Sequence, residues 1–202
     1  FSDTRLYGEQ EMERKVKVFY VLDQPVFAFL ETDLNMLKEH FDVTTHQWTR
    51  TRDIKNVLRI IWHILRADLS FIWFADIHAT RVVFFSKLFR KKTIVVVGGY
   101  EVANVPEINY GLMRSPKSAC RVKYVLENAD IVLTVDESLK MDAINNAKVK
   151  GENIITVPTG YDTEKWQFKG KKEDLVLTVS SGKYWDRVRL KGLDIFVESA
   201  KY

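Results

Sequence analysis

Two short stretches of this chain carry side chains of the kind that handle a substrate. Asp76 and His78 follow an apolar run at 69–74, and Gly98, Gly99, Tyr100 and Glu101 follow another at 93–97. A histidine beside an aspartate can hydrogen-bond a substrate hydroxyl or phosphate, because imidazole changes charge close to neutral pH. Adjacent glycines let backbone approach a ligand closely and permit a positive φ. Asp76 and Glu101 make an acid–base pair if the fold brings them together. Plainer explanations stand beside these: His78 as a helix-start cap or a packed side chain, the glycine pair as a tight turn. Other chemistries lack their residues. His40, His46, His63 and His78 show no metal-ligand spacing and Cys120 is the only cysteine, so neither a metal nor a cofactor is expected. There is no GxGxxG after the first strand, no phosphate-binding P-loop and no Ser-His-Asp order.

For these residues to meet, one edge of a sheet must carry them, and the patterning supplies such a sheet. Residues 16–22 (VKVFYVL) form a nearly continuous apolar run, as a strand buried on both faces requires. Asp23, Gln24 and Pro25 break it. Phe29, Leu30, Leu34, Leu37 and Phe41 then recur at helical spacing over 26–41. The alternation goes on: strand 42–48, helix 52–67, strand 69–74, helix 77–89, strand 93–97, helix 115–128, strand 130–135, a helix to 147 capped by Asp136, and strand 153–157. Pro116 suits the first turn of its helix. In the helix 52–67, Ile54, Val57, Leu58, Ile61, Ile64 and Leu65 are expected to face the core, with Ile60 and Trp62 outside that stripe. Strand and helix alternating throughout predict a doubly wound parallel sheet with helices on both faces. Ligands of such sheets lie at the carboxyl ends of the strands, where both candidate stretches fall.

Composition permits this and limits the rest. The 202 residues are 46% hydrophobic and 29% charged, ordinary for one α/β domain with something left over. No apolar run approaches the roughly 20 residues that span a bilayer, and the first 15 residues form a polar arm without the core of a secretory signal. A lone cysteine fits a reducing compartment, so a cytoplasmic setting is expected. The net charge is +4, and residues 81–92 hold Arg81, Lys87, Arg90, Lys91 and Lys92 with no carboxylate. A solvated helix end explains that cluster; an anionic membrane surface, peripherally bound on its inner face, is the functional alternative. Nucleic acid is not expected, because no aromatic and basic ladder accompanies the cluster.

After Val157 the texture changes. Residues 158–162 are turn chemistry and 163–174 a charged connector. A new apolar β-run at 175–179 and a new amphipathic helix at 193–201 then begin. A strand that restarts beyond a polar connector predicts a second domain, of which 175–202 holds only the opening. The first domain is accordingly 16–162.

The final third carries a more specific signal. ENADIVLTVDESLK from Glu127 to Lys140, followed by NIITVPTGYDTEKW from Asn153 to Trp166, resembles the domain junction of the retaining glycosyltransferases of family 4. LVLTVSSG from Leu175 and RLKGLDIF from Arg189 resemble the start of that family's donor-binding domain. The likeness is marked from Glu127 onward and slight before Leu69. It implies the N-terminal half of a GT-B fold, a Rossmann-like acceptor-side domain, plus the first strand and helix of the second. It further implies a hexose transferred from a nucleotide-sugar donor to a sugar or lipid-linked acceptor with retention of configuration. Lys191 matches the family lysine that holds the donor diphosphate and Arg189 stands for its arginine, cations that suit a departing diphosphate gaining charge. His78 takes the catalytic place, while Asp76, Gly98, Gly99, Tyr100 and Glu101 line the acceptor side of the cleft. The sequence also departs from the pattern. Val97 to Glu101 replaces the family's THGxD segment, and the glycine-rich first loop of many members is Asp23 to Phe27 here. Thr159 stands where asparagine is common. The family's E-x7-E motif lies beyond these residues, so this stretch alone is expected to be inactive. A nucleotide-sugar epimerase built on the same two-domain plan and a non-catalytic membrane-docking module are the alternatives.

Overall fold

Extended apolar runs need partners for their backbone groups, and here they find one another in a single sheet. The computed structural model describes residues 14–22, 27–48, 54–160, 163–164, 167, 170–171, 173–180 and 184–201. Strands β1 (Lys17–Leu22), β2 (Asp42–Gln47), β3 (Leu69–Trp73), β4 (Lys92–Val97), β5 (Ile131–Thr134) and β6 (Ile154–Thr156) lie in the order β2-β1-β3-β4-β5-β6. Every pairing is parallel, for example Val18 opposite Leu69 and Ile72 opposite Val95. Parallel neighbours need crossovers, which are α1 (Ala28–His40), α2 (Ile54–Arg66), α3 (Ile77–Leu88), α4 (Pro116–Asn128) and α5 (Glu137–Ala147). The expected Rossmann-like architecture is therefore present, with boundaries shifted by one or two residues. Asp136 caps α5 as expected, accepting from the Ser138 N–H at 2.8 Å.

The sheet's two faces are covered unequally. Phe19, Val21, Ile72, Val95 and Val132 build the larger core with α2–α5, while Tyr20, Trp73 and Val96 pack with Leu30 of α1 on the other face. Two polar contacts lock α1 down. The buried Tyr20 hydroxyl donates to the Leu30 carbonyl at 3.1 Å, and the Trp73 indole N–H donates to Asp33 at 3.1 Å.

Two expectations are corrected. In α2 the core side is Ile60 and Ile64, whereas Ile54, Leu58 and Leu65 are at least half exposed. A helix apolar over most of its circumference offers periodicity no single face to select. Residues 175–180 form no strand: their side chains are exposed, and no strand among the described residues supplies hydrogen bonds. Two short helices follow, α6 (Trp185–Leu190), unexpected, and α7 (Leu193–Ser199). The N-terminal arm through residue 13, the break at 23–25 and much of the connector lie outside the described residues. Among the described residues no helix is long and apolar enough to cross a membrane.

Candidate functional site

The strand order sets where a crevice opens. From β1 the chain moves one way to β2, and from β3 the other way to β4, so the connections after β1 and β3 diverge at the carboxyl edge. Into this edge project the segment after β3 (Phe74, Ala75, Asp76) and the one after β4 (Gly98, Gly99, Tyr100, Glu101).

Glu101 ties these two segments together. It is 2% exposed, and its Oε1 accepts from the Ala75 N–H and the Gly98 N–H, each at 3.2 Å. Its Oε2 is buried with no hydrogen-bond partner among the described residues. Burial pushes the Glu101 carboxyl up; the N–H groups of its own residue, Gly98 and Ala75 pull the other way, and the Asp76 charge adds a further upward push. Asp76 does not pair with it. It stands at the N-cap position of α3 without a side-chain capping bond, and its backbone N–H donates to the Phe74 carbonyl at 2.9 Å.

A bulky residue with a strained backbone lies beside that carboxyl. Phe74 has φ +70°, a left-handed conformation costly for a bulky residue. Its ring fills the space a side chain at position 98 would need: a Cβ on Gly98 would lie 2.7 Å from Phe74 Cε1. Gly99, at φ +114°, faces Leu139 of α5. The Asn146 side chain of α5 donates to the Val102 carbonyl at 2.7 Å and fixes the far side of this segment.

Around this bracket lies an aromatic shelf. Phe27 and Phe29 stack at 5.5 Å, Phe29 meets Trp73 at 5.0 Å, and both phenylalanines present edges to Phe74 at 6.4 Å. Tyr100 stands edge-on to Tyr110 at 5.0 Å. Phe27, Phe29 and Tyr100 remain 45%, 36% and 42% exposed, flat apolar faces left open to a ligand. Of these rings sequence reading named Tyr100 for the cleft but not Phe27, Phe29 or Trp73, which meet only through the pairing of β1 with β3; aromatic residues next to strand ends were the available signal.

His78 is not in the crevice. It is fully buried in α3, its Nε2 2.7 Å from the Trp73 carbonyl and its ring 6.3 Å from that of Trp48. So enclosed, the ring lies beneath the β3 loop and offers no open surface to the crevice. Arg189 and Lys191 are exposed at the end of α6, and no hydrogen bond or ion pair joins them to crevice residues among those described. The α6 cation that does reach the first domain is Arg187, 5.5 Å from the centre of the Tyr110 ring. Among the described residues no cluster of three His, Cys, Asp or Glu side chains is placed to hold a metal ion.

The cations of 81–92 sit mostly at the opposite, amino edge. Lys91 donates to the Ala67 carbonyl at 2.8 Å and Lys92 pairs with Asp130 at 2.6 Å. Asp130 also accepts from the Thr93 N–H and hydroxyl at 2.9 and 3.2 Å. Burial raises the Asp130 carboxyl, but Lys92 and Thr93 together outweigh it and hold it below the ordinary carboxylate range.

No protein-family model matches the chain, and no characterised protein matches it by sequence. Solved structures do match in fold. A UDP-N-acetylglucosamine 2-epimerase aligns with a TM-score of 0.51 at 11% identity, over 71% of this chain and 48% of its own. S. aureus MnaA with UDP aligns with a TM-score of 0.50 at 8% identity, over 70% and 43%. A UDP-GlcNAc 2-epimerase from Neisseria meningitidis, bound to UDP-GlcNAc, gives 0.47 at 10% identity, over 70% and 45%. The chain thus spans less than half the length of these structures. What it shares with the first two is the Rossmann-like fold, a parallel sheet with helices on both faces. None of these neighbours is described as a glycosyltransferase, so the family 4 likeness rests on the motifs after Glu127.

Proposed function

We propose that the chain is the acceptor-side half of a GT-B enzyme that transfers a hexose from a nucleotide-sugar to an acceptor with retention of configuration. The observation carrying this reading is the exposed aromatic shelf of Phe27, Phe29 and Tyr100 beside the Glu101 bracket. Transfer needs a second molecule next to the donor, and flat apolar rings at the strand ends are the surface on which a sugar ring or lipid-linked acceptor stacks. The junction motif at 127–166 supports the same reading. In it Glu101 is a positioning residue that sets the two loops, Asp76 and the backbone N–H of Gly99 are the polar groups offered to acceptor hydroxyls, and His78 supports the β3 loop from below. Arg189 and Lys191 belong to the donor side and need the remainder of the second domain to act. No metal enters the reaction.

A second reading is favoured by the fold neighbours: an epimerase that inverts one centre of the nucleotide-sugar and uses no acceptor. One experiment separates the two. The full-length protein is incubated with uridine-, guanosine- and adenosine-diphosphate sugars, and the products are resolved by NMR. Donor hydrolysis or transfer with retained anomeric configuration is expected. A new nucleotide-sugar epimer would replace the transferase reading, and failure to bind any nucleotide-sugar would sink both.

A further inference from the structure

On the larger-core side of the sheet, α2 and α3 leave an apolar surface uncovered. Ile54, Leu58, Trp62 and Leu65 of α2, with Phe84 and Leu88 of α3, are 49–68% exposed. Monomeric proteins rarely leave so many large apolar side chains contiguous without a use for them. Between α2, α3 and α4 this surface sinks into a mainly apolar groove of about 500 Å³, lined by Val57, Thr80, Arg81, Phe84, Phe85 and Tyr124.

The charges on α2 and α3 are all of one sign. Neither α2 nor α3 contains a carboxylate, whereas Lys55, Arg59 and Arg66 lie on α2 and Arg81 and Lys87 on α3. Arg66 lies over the Trp62 ring, 4.2 Å from its centre, which gives an amphipathic tryptophan a cationic edge. Arg81 is the more telling group. Its guanidinium stacks on Trp48 at 4.9 Å, yet its Nη1 is buried with no hydrogen-bond acceptor among the described residues. An arginine with an unfilled donor at the floor of an apolar groove is suited to an oxyanion that arrives with an apolar body attached.

We propose that the α2–α3 face docks on an anionic phospholipid bilayer, with Arg81 taking a lipid phosphate at the groove. Apolar area together with basic charge is the combination that binds such interfaces. Charge selects this occupant over a second copy of the chain, because two such faces would bring their cations together with no carboxylate on either helix to meet them. The inference stands apart from the transfer reaction, since it concerns a different side of the domain from the crevice.

Co-sedimentation of this chain with vesicles tests it, comparing phosphatidylcholine alone with phosphatidylcholine containing about a third phosphatidylglycerol. Binding to the anionic vesicles at low salt is expected, weakened at high salt and absent on phosphatidylcholine. Arg59→Gln and Arg81→Gln should each weaken it by about fivefold, the contribution of one cation near a charged surface. The pair Leu58→Asp and Leu65→Asp should abolish it while leaving the circular dichroism melt unchanged, because both side chains are exposed. Equal binding to neutral vesicles, no binding to anionic ones, or binding indifferent to these substitutions would overturn the proposal. So would displacement by millimolar glycerol 3-phosphate, which would indicate a site for a free phosphate ester. A dimer in sedimentation equilibrium that Leu58→Asp dissolves would show that the face is instead an interface between copies.

Discussion

The two ends of the sheet are built on opposite terms. At the amino edge two carboxylates are well supplied with donors: Asp68 accepts from the Lys17 N–H at 2.8 Å and pairs with Arg14, and Asp130 gathers Lys92 and both donors of Thr93. At the carboxyl edge a phenylalanine is held at positive φ, a glycine is required by a neighbouring ring, and a buried carboxyl keeps one oxygen without a donor. One end has its polar groups met, as a structural end should. The other keeps strain and an unmet polar atom, which is how a fold marks the place where a ligand is handled.

The contrast can be broken most forcefully at Glu101. Glu101→Ala leaves the Ala75 and Gly98 N–H groups buried without an acceptor and should cost about 2–4 kcal/mol in urea unfolding. Glu101→Gln keeps that acceptor and should lose far less. The sign with pH follows from the raised carboxyl. The stability it contributes is fully present below the unfolded value near 4.5 and is lost as pH rises through the raised folded value. Unfolding free energies measured across this window should therefore decline in the parent and stay flat in Glu101→Gln; a decline in both would remove the assignment.

Next comes the Phe74–Gly98 contact. Gly98→Ala should destabilise by about 1–3 kcal/mol through overpacking. Combined with Phe74→Ala it should cost less than the two added, by about 1 kcal/mol of coupling, because the obstructing ring is gone. Additive costs would mean that backbone conformation, not the ring, demands the glycine.

At the amino edge, Asp130→Ala should cost about 1–2 kcal/mol, since the buried Thr93 N–H loses its acceptor. Its pH sign is opposite to that of Glu101: the contribution is present above the unfolded value near 3.8 and is lost as pH falls through the lowered folded value. Denaturant melts of the variant between pH 5 and pH 2 should lose that acid sensitivity, and retention of it would place the acid-labile group elsewhere. The smallest effect on stability belongs to Phe29→Ala and Tyr100→Ala, whose rings are part exposed. On the proposed transferase reading, each should raise the acceptor KM of the full-length protein by about three- to tenfold, the worth of one ring contact, with the donor KM unchanged. A donor KM that moved instead would put the shelf on the wrong substrate.

How much of this was legible in the sequence divides along the same line. The strands and crossovers were, because a parallel strand buried on both faces must be an apolar run, as 17–22 and 92–97 are. Asp136 was recognisable as a cap from its place before a helical pattern. What escaped were relations between distant residues. His78 looks the same in sequence whether it faces a substrate or the Trp73 carbonyl. Lys91 and Lys92 read as a free basic cluster because Ala67 and Asp130, which occupy them, lie 24 and 38 positions away. Glu101 could be singled out beside its glycines, but not its hold on Ala75, 26 residues upstream. The apolar run at 175–179 shows the converse: its composition suits a strand, yet it pairs with no strand among the described residues.

Because one oxygen of Glu101 holds both loops while the other holds nothing, the group can gain or lose a proton without releasing either amide. Charge and geometry are thereby uncoupled at this position. The loops after β3 and β4 would open together, as one unit in amide hydrogen exchange, and their protection at Ala75 and Gly98 should rise and fall in step.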